Sequence, residues 1–161
     1  MPLIIDLMRH AAAEPNHPEG DDARTLTAQG RRSAIATGTT LRRERWAPTA
    51  VFTSPLLRAR ETARLVLEHA GIGIEPRVMD ELEPHREAKE AALAALSHAG
   101  ASGHLLLVGH QPVMSRLALV LCREENDPAP GDLTRIEFPD GAGVGHELGT
   151  GRLTRVIRAK R

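Results

Sequence analysis

Apolar residues fall in short runs cut off by polar ones, and longer stretches with helical spacing lie between the runs. The first run, LIIDLM (residues 3–8), reads as a strand that stops abruptly at Arg9 and His10. The loop AAAEPNHPEGDDART that follows is too rich in Pro, Gly and acid for regular structure. Thr27 is a helix N-cap, and residues 28–45 predict a helix whose inner face, with Ala34, Gly38 and Leu41, permits close approach to a sheet. Residues 50–53 form a second, short strand. Ser54 as N-cap and Pro55 at the first helical position start the next helix, and Gly71 ends it.

A short run at 74–78 supplies a third strand and leads into the acidic turn DELEPH (80–85). Residues 86–99 predict a third helix, closed by Gly100. HLLLVG (104–109) is apolar on both faces, as a central parallel strand requires, and is cut off by His110; QP then opens a helix through LALVLC. The remainder, LTRIEFPDGAGVGHEL and GRLTRVIRA, reads as edge strands joined through an Asp140-Gly141 turn. Strands alternating with helices predict an α/β fold with a largely parallel sheet.

At 161 residues the chain predicts one domain over 1–161. Lys plus Arg equals Asp plus Glu at 21 each, which argues against binding nucleic acid or an anionic membrane by bulk charge. With two Phe, one Trp and no Tyr there is little to stack on bases either. The single cysteine, Cys122, reads as a small buried hydrophobe; it cannot form an internal disulfide, which fits a reducing compartment. No signal-peptide h-region and no run of roughly 18 apolar residues is present, so a soluble cytoplasmic protein is expected.

In an open α/β sheet, ligands bind beyond the carboxyl ends of the strands. That rule selects Arg9 and His10 after the first strand, Ser54 to Arg58 after the second, Glu81 after the third and His110 after HLLLVG. Two histidines and two arginines on one edge make a cationic pocket, and the planar fork of arginine matches phosphoryl oxygens. Arg58 also lies in the first turn of a helix, whose N-terminal amides favour phosphate. An anion is the expected ligand. Each residue alone has a structural reading; their joint placement after successive strands favours the functional one.

These residues carry a resemblance. LMRHAAAE resembles the Arg-His signature of the histidine phosphatase (phosphoglycerate mutase-like) superfamily, TSPLLRARETA its second arginine motif, and LLVGHQP the segment with its second catalytic histidine. LTAQGRRSA is similar to a helix start in that family, so the likeness runs over residues 3–120. It implies a three-layer α/β/α fold with a mostly parallel mixed central sheet. It also implies a covalent mechanism without metal or cofactor: His10 as nucleophile, forming a phosphohistidine that water hydrolyses, with Arg9, Arg58 and a protonated His110 holding the phosphoryl oxygens. The chain has no H-E-x-x-H, C-x-x-C or Walker A motif. Glu81 matches the acid that protonates the leaving group in many relatives, with Asp80 and Glu83 as weaker candidates and a surface carboxylate as the plain alternative.

One departure is informative. The common Arg-His-Gly is Arg-His-Ala here, at Ala11, which is familiar in the small SixA-like branch of phosphohistidine phosphatases. Imidazole leaving from phosphohistidine has an ordinary pKa of about 6.5, so such an enzyme tolerates a poor general acid. Relatives acting on sugar phosphates carry a large insertion before the second histidine; here DELEPH and one helix occupy that interval. A shallow, open site is expected, suited to a phosphoryl group on a protein such as a histidine phosphotransfer domain. A small phosphorylated substrate is the second reading, and a non-catalytic phosphohistidine-binding adaptor the third.

Other segments add little. The acidic residues Glu14, Glu19, Asp21 and Asp22 of the 11–26 loop read as solvated, with a protein-partner contact beside Arg9 and His10 as the alternative. Arg152, Arg155, Arg158, Lys160 and Arg161 read as the solvated outer face of an edge strand. His17, His69, His85, His98, His104 and His146 share no metal-binding spacing.

Overall fold

Two strands with apolar residues on both faces make the centre of a six-stranded sheet: β1 (Leu3–Arg9) and β4 (Gly103–Gly109). In the computed structural model, which describes residues 2–99, 102–139 and 147–161, they pair in parallel, Leu3 opposite Gly103 and Arg9 opposite Gly109. Their carboxyl ends are therefore level. β2 (Ala50–Thr53) pairs in parallel with β4, and β3 (Arg77–Val78) with β2. β5 (Leu133–Phe138) and β6 (Arg152–Ile157) complete the sheet by antiparallel pairing, giving the order β3-β2-β4-β1-β5-β6.

Side-chain alternation sorts the core into two layers. Leu3, Ile5, Leu7, Leu105 and Leu107 pack with α3 (Ala88–Ala99) and α4 (Val113–Cys122) on one face. Met8, Val51, Leu106 and Val108 pack with α1 (Ala28–Arg43) and α2 (Leu57–Ala70) on the other. Each fully buried aliphatic side chain contributes roughly 1.5–3 kcal/mol, so β1 and β4 are held from both sides. Cys122 is buried in the first layer, as expected.

Several sequence expectations hold in detail. Thr27 Oγ1 accepts the Gly30 N–H at 3.0 Å, and Gly71 takes the left-handed conformation (φ 73°) that closes α2. Others are corrected. Gly38 faces α2 rather than the sheet: a Cβ there would lie 2.7 Å from the Val66 carbonyl oxygen. α1 stops at Arg43, two residues early, and Arg45 turns to φ 58°. α2 begins at Leu57, so Pro55 precedes it and Ser54 is not its N-cap, although Ser54 Oγ accepts the Leu56 N–H at 3.1 Å. β3 shrinks to two residues because Pro76 cannot donate to a ladder. α3 starts at Ala88, after Pro84 and a left-handed His85 (φ 73°) break the chain direction. β5 is interior rather than an edge, since it pairs with β1 and β6. The basic row on β6 is only partly solvated: Arg155 pairs with Glu44, and Arg158 with the buried Asp132 at 2.9 Å. Gly100, the Asp140-Gly141 turn and His146 lie outside the described residues. Among the described residues no helix is long and apolar enough to cross a membrane.

Candidate active site

The end of β1 is clamped between two neighbouring strands. The His10 N–H donates to Gly109 O at 2.9 Å, at the end of β4, and the Arg9 N–H donates to Asp132 O at 3.2 Å. Gly131, just before β5, shares its N–H between the carbonyls of Arg9 (3.1 Å) and His10 (3.0 Å). It sits at φ 86°, and a Cβ there would lie 2.9 Å from Ala159 Cβ, so glycine is required twice over. The backbone of the Arg-His pair thus has little freedom.

His10 is 8 % exposed, and its Nδ1 lies 2.7 Å from Ala11 O. A carbonyl only accepts, so Nδ1 carries the proton and Nε2 of the neutral ring holds the lone pair. Burial pushes the His10 pKa down to about 4; the bond to Ala11 opposes this, and the charges of Arg58, Arg9 and Arg24 add to it. At neutral pH the ring is therefore a free base. Ala11 in turn donates its N–H to Thr62 Oγ1 at 3.1 Å, and the Thr62 hydroxyl donates to Arg58 O at 2.7 Å. One threonine on α2 ties the neighbour of His10 to the backbone of Arg58.

His110 stands with its ring centroid 5.1 Å from that of His10. Its Nε2 lies 2.7 Å from Ser54 Oγ. Burial pushes its pKa down to about 3, with His10 and Arg58 acting in the same direction and Asp21 against it. Burial first, and the neighbouring positive groups second, therefore keep the His110 ring neutral near pH 7, while the protonated form that the resemblance implies concerns a phosphoryl-bound site. Arg58 is 4 % exposed; its Nη1 donates to Asp21 O at 2.9 Å and its Nη2 to Asp21 Oδ2 at 3.2 Å. Arg9 Nη1 donates to Pro128 O at 3.1 Å. Three buried nitrogens find no partner among the described residues: Arg9 Nε, Arg58 Nε and His110 Nδ1. Leaving a buried polar group unpaired costs about 1–3 kcal/mol, and the three belong to the residues the sequence singles out. Acceptor oxygens of an anion would satisfy all three.

Glu81 lies in a 3₁₀ turn, Asp80–Leu82, whose Leu82 carbonyl oxygen would be 3.6 Å from a Cβ on Gly109. The turn is therefore beside the carboxyl end of β4, yet Glu81 makes no hydrogen bond to Arg9, His10, Arg58 or His110. α3 packs on α4 and β4. What reaches the site instead is the 11–26 loop, whose Asp21, exposed as expected, also grips Arg58 and Arg24. Sequence reasoning missed Asp21, Arg24, Thr62 and Gly131 as supports, and took Ser54 for a cap. Only Ser54 carried a signal, its place directly after a strand. Among the described residues, no three His, Cys, Asp or Glu side chains gather as a metal site would need.

The residues gather at the carboxyl edge of a mixed α/β sheet of the phosphoglycerate mutase-like kind, and the chain belongs to the histidine phosphatase superfamily (branch 1), whose sequence profile matches residues 5–88. An uncharacterized protein of Mycobacterium tuberculosis, Rv1276c, is 34% identical over 136 residues, covering 82% of this chain and 81% of that one. Among solved structures, the protein histidine phosphatase SixA complexed with tungstate superposes with a TM-score of 0.82 at 22% identity, over 97% of both chains. Phosphoglycerate mutase from Bacillus anthracis follows the same fold at TM-score 0.68 and 14% identity, over 95% of this chain and 92% of that one.

Proposed function

We propose that the protein is a metal-independent phosphatase working through a phosphohistidine at His10, with residues 1–161 acting as one unit. The observation that carries this reading is the pairing of a forced His10 tautomer with buried nitrogens on Arg9, Arg58 and His110 that have no partner among the described residues. The Nε2 lone pair attacks phosphorus, the P–Nε2 bond forms as the bond to the leaving group breaks, and water then cleaves P–Nε2 to release phosphate. Arg9 and Arg58 offset charge on the phosphoryl oxygens. Ser54 Oγ already accepts the Leu56 N–H, so its own hydrogen can go to His110 Nε2, leaving the His110 proton on Nδ1 for the phosphoryl group. Neutral His110 is then a donor without being a cation. An incoming dianion raises its pKa toward the protonated form.

The substrate we favour is phosphohistidine on a protein, of the phosphotransfer-domain kind. Glu81 makes no hydrogen bond to Arg9, His10, Arg58 or His110, and imidazole leaves as a neutral group once its distal ring nitrogen, with an ordinary pKa of about 6.5, has taken a proton from solvent, so a dedicated acid is little needed. Fold similarity to SixA supports the same choice, while small phosphomonoesters remain the second reading because the phosphoryl-binding groups would serve both. Incubation with phosphorylated substrate is expected to give an acid-labile, alkali-stable phosphoenzyme that His10→Ala abolishes, with kcat falling by about 10⁴-fold or more. A phosphoenzyme in the Ala variant would move the nucleophile elsewhere. Turnover on a phosphorylated phosphotransfer domain is expected to exceed that on sugar phosphates at least about 100-fold; comparable rates would overturn the protein-substrate reading.

A further inference from the structure

The site's second arginine is held from outside by the loop that joins β1 to α1. Both terminal nitrogens of Arg58 are taken by one residue: Nη1 by the backbone carbonyl of Asp21 at 2.9 Å, Nη2 by its carboxylate at 3.2 Å. From this geometry we infer that Asp21 is a positioning residue, which fixes the guanidinium plane so that its buried Nε edge is presented to the phosphoryl group. The inference rests on the phosphatase reading above.

A guanidinium is planar, and two contacts at one end fix its plane, whereas a single remaining contact leaves it free to pivot. The opposite edge, Nε, is buried and unpartnered among the described residues. The clamp itself is stiffened. The other Asp21 oxygen accepts from Arg24 Nη1 at 2.8 Å, Arg24 Nε donates to Glu14 O at 2.6 Å, and Glu14 Oε1 accepts the N–H and hydroxyl of Thr25 at 2.7 and 2.9 Å. Charge attraction alone does not explain the arrangement. The Asp21 side chain is 61% exposed, and a solvated ion pair contributes little, whereas the Arg58 side chain is only 5% exposed and must take whatever orientation its partners set. A carboxylate placed here acts on catalysis through Arg58 and touches no reacting atom.

The test compares Asp21→Ala, Asp21→Asn and, at the next residue in the loop, the exposed Asp22→Ala, by kcat, KM and affinity for vanadate and for inorganic phosphate. Vanadate mimics five-coordinate phosphorus, so it reports alignment for the transition state. Asp21→Ala is expected to lower kcat and vanadate affinity by about 10-fold each, with KM and phosphate affinity changed less than about threefold. Asp21→Asn still offers Nη2 an acceptor oxygen and should recover most of the loss; Asp22→Ala should match the parent protein. Vanadate affinity within twofold of the parent in Asp21→Ala, a change confined to KM, or Asp21→Asn as impaired as Asp21→Ala would each overturn the assignment. If the parent protein binds vanadate but turns over no phosphorylated substrate, the phosphatase reading fails, and the vanadate comparison still decides the role of Asp21.

Discussion

β1 carries two buried polar clusters on one strand, and they are built on opposite rules. Near its middle, Asp6 is fully buried and fully satisfied: Oδ2 lies 2.8 Å from Trp46 Nε1 and 2.5 Å from His104 Nε2, while Arg135 donates from Nε at 2.8 Å and from Nη2 at 3.1 Å. At its end, Arg9, Arg58 and His110 around His10 leave three nitrogens without partners among the described residues. Burial tends to raise the Asp6 pKa, but the bonds from His104 and Arg135 outweigh it and the net direction is down. Around His10, burial first and then the charges of the arginines drive both histidines down, although the buried Asp132 acts on Arg9. Similar side chains thus make a structural knot in one place and a receptive site a few residues away. The difference lies in whether the acceptor is built into the protein or brought by a ligand. A cavity of about 480 Å³ opens beside the Asp6 cluster, lined by Ile4, Leu41, Trp46 and His104, but its polar floor is already bonded.

The comparison can be broken most decisively at Asp6. Asp6→Ala leaves the Arg135 and His104 heads beside an apolar floor, and loss of one partner of a buried ion pair costs about 3–5 kcal/mol. Urea unfolding should show that loss, while the variant that remains folded should bind vanadate as the parent does. A loss under about 1 kcal/mol would mean that Asp6 is not the structural centre described here.

A pH titration of stability should separate the clusters. His10 and His110 have native pKa values of about 4 and about 3 against an ordinary 6.5, so the unfolded chain takes up protons first as pH falls. Their contribution is fully favourable above pH 6.5, and stability declines from there toward pH 4 by about 1.4 kcal/mol per pH unit for each histidine. Asp6 has the same sign in a lower window: its native pKa lies below the ordinary 3.8, so its contribution holds above that value and is lost only on further acidification. His10→Ala should therefore flatten the slope between pH 6.5 and 4, and saturating phosphate should do the same in the parent protein. An unchanged slope in both cases would show that these rings are not held neutral by their surroundings.

The smallest effect is expected at Ser54. Ser54→Ala removes the partner of His110 Nε2, which should lower kcat about 10-fold while unfolding free energy changes by roughly 1 kcal/mol. Equal losses in kcat and in folding at every substrate concentration would place Ser54 with the structural cluster instead.

Much of this was legible before any coordinates. The central strands β1 and β4 announce themselves by apolar residues on both faces, and Arg9, His10, Arg58 and His110 follow from the rule that polar residues just after strands line the ligand edge. Less visible were the supports. Asp21 stands 37 residues from Arg58 and Ser54 stands 56 from His110, with no periodicity to link them. Asp6 was hidden for a different reason: a single acid in LIIDLM breaks the apolar pattern without saying which basic groups will meet it.

The amino-acid sequence by itself determined the α/β alternation, the two-sided burial of the central strands and the residue types gathered at one edge, because periodicity and strand ends are local properties of the chain. Only the tertiary structure decided which of those polar groups are satisfied. The His10 tautomer, the neutral state of His110 and the grip of Asp21 on Arg58 depend on burial and on contacts between distant segments. Hydrogen-bond partners and pKa shifts are set by three-dimensional neighbours, and those exist once β1, β4, α2 and the 11–26 loop have packed together.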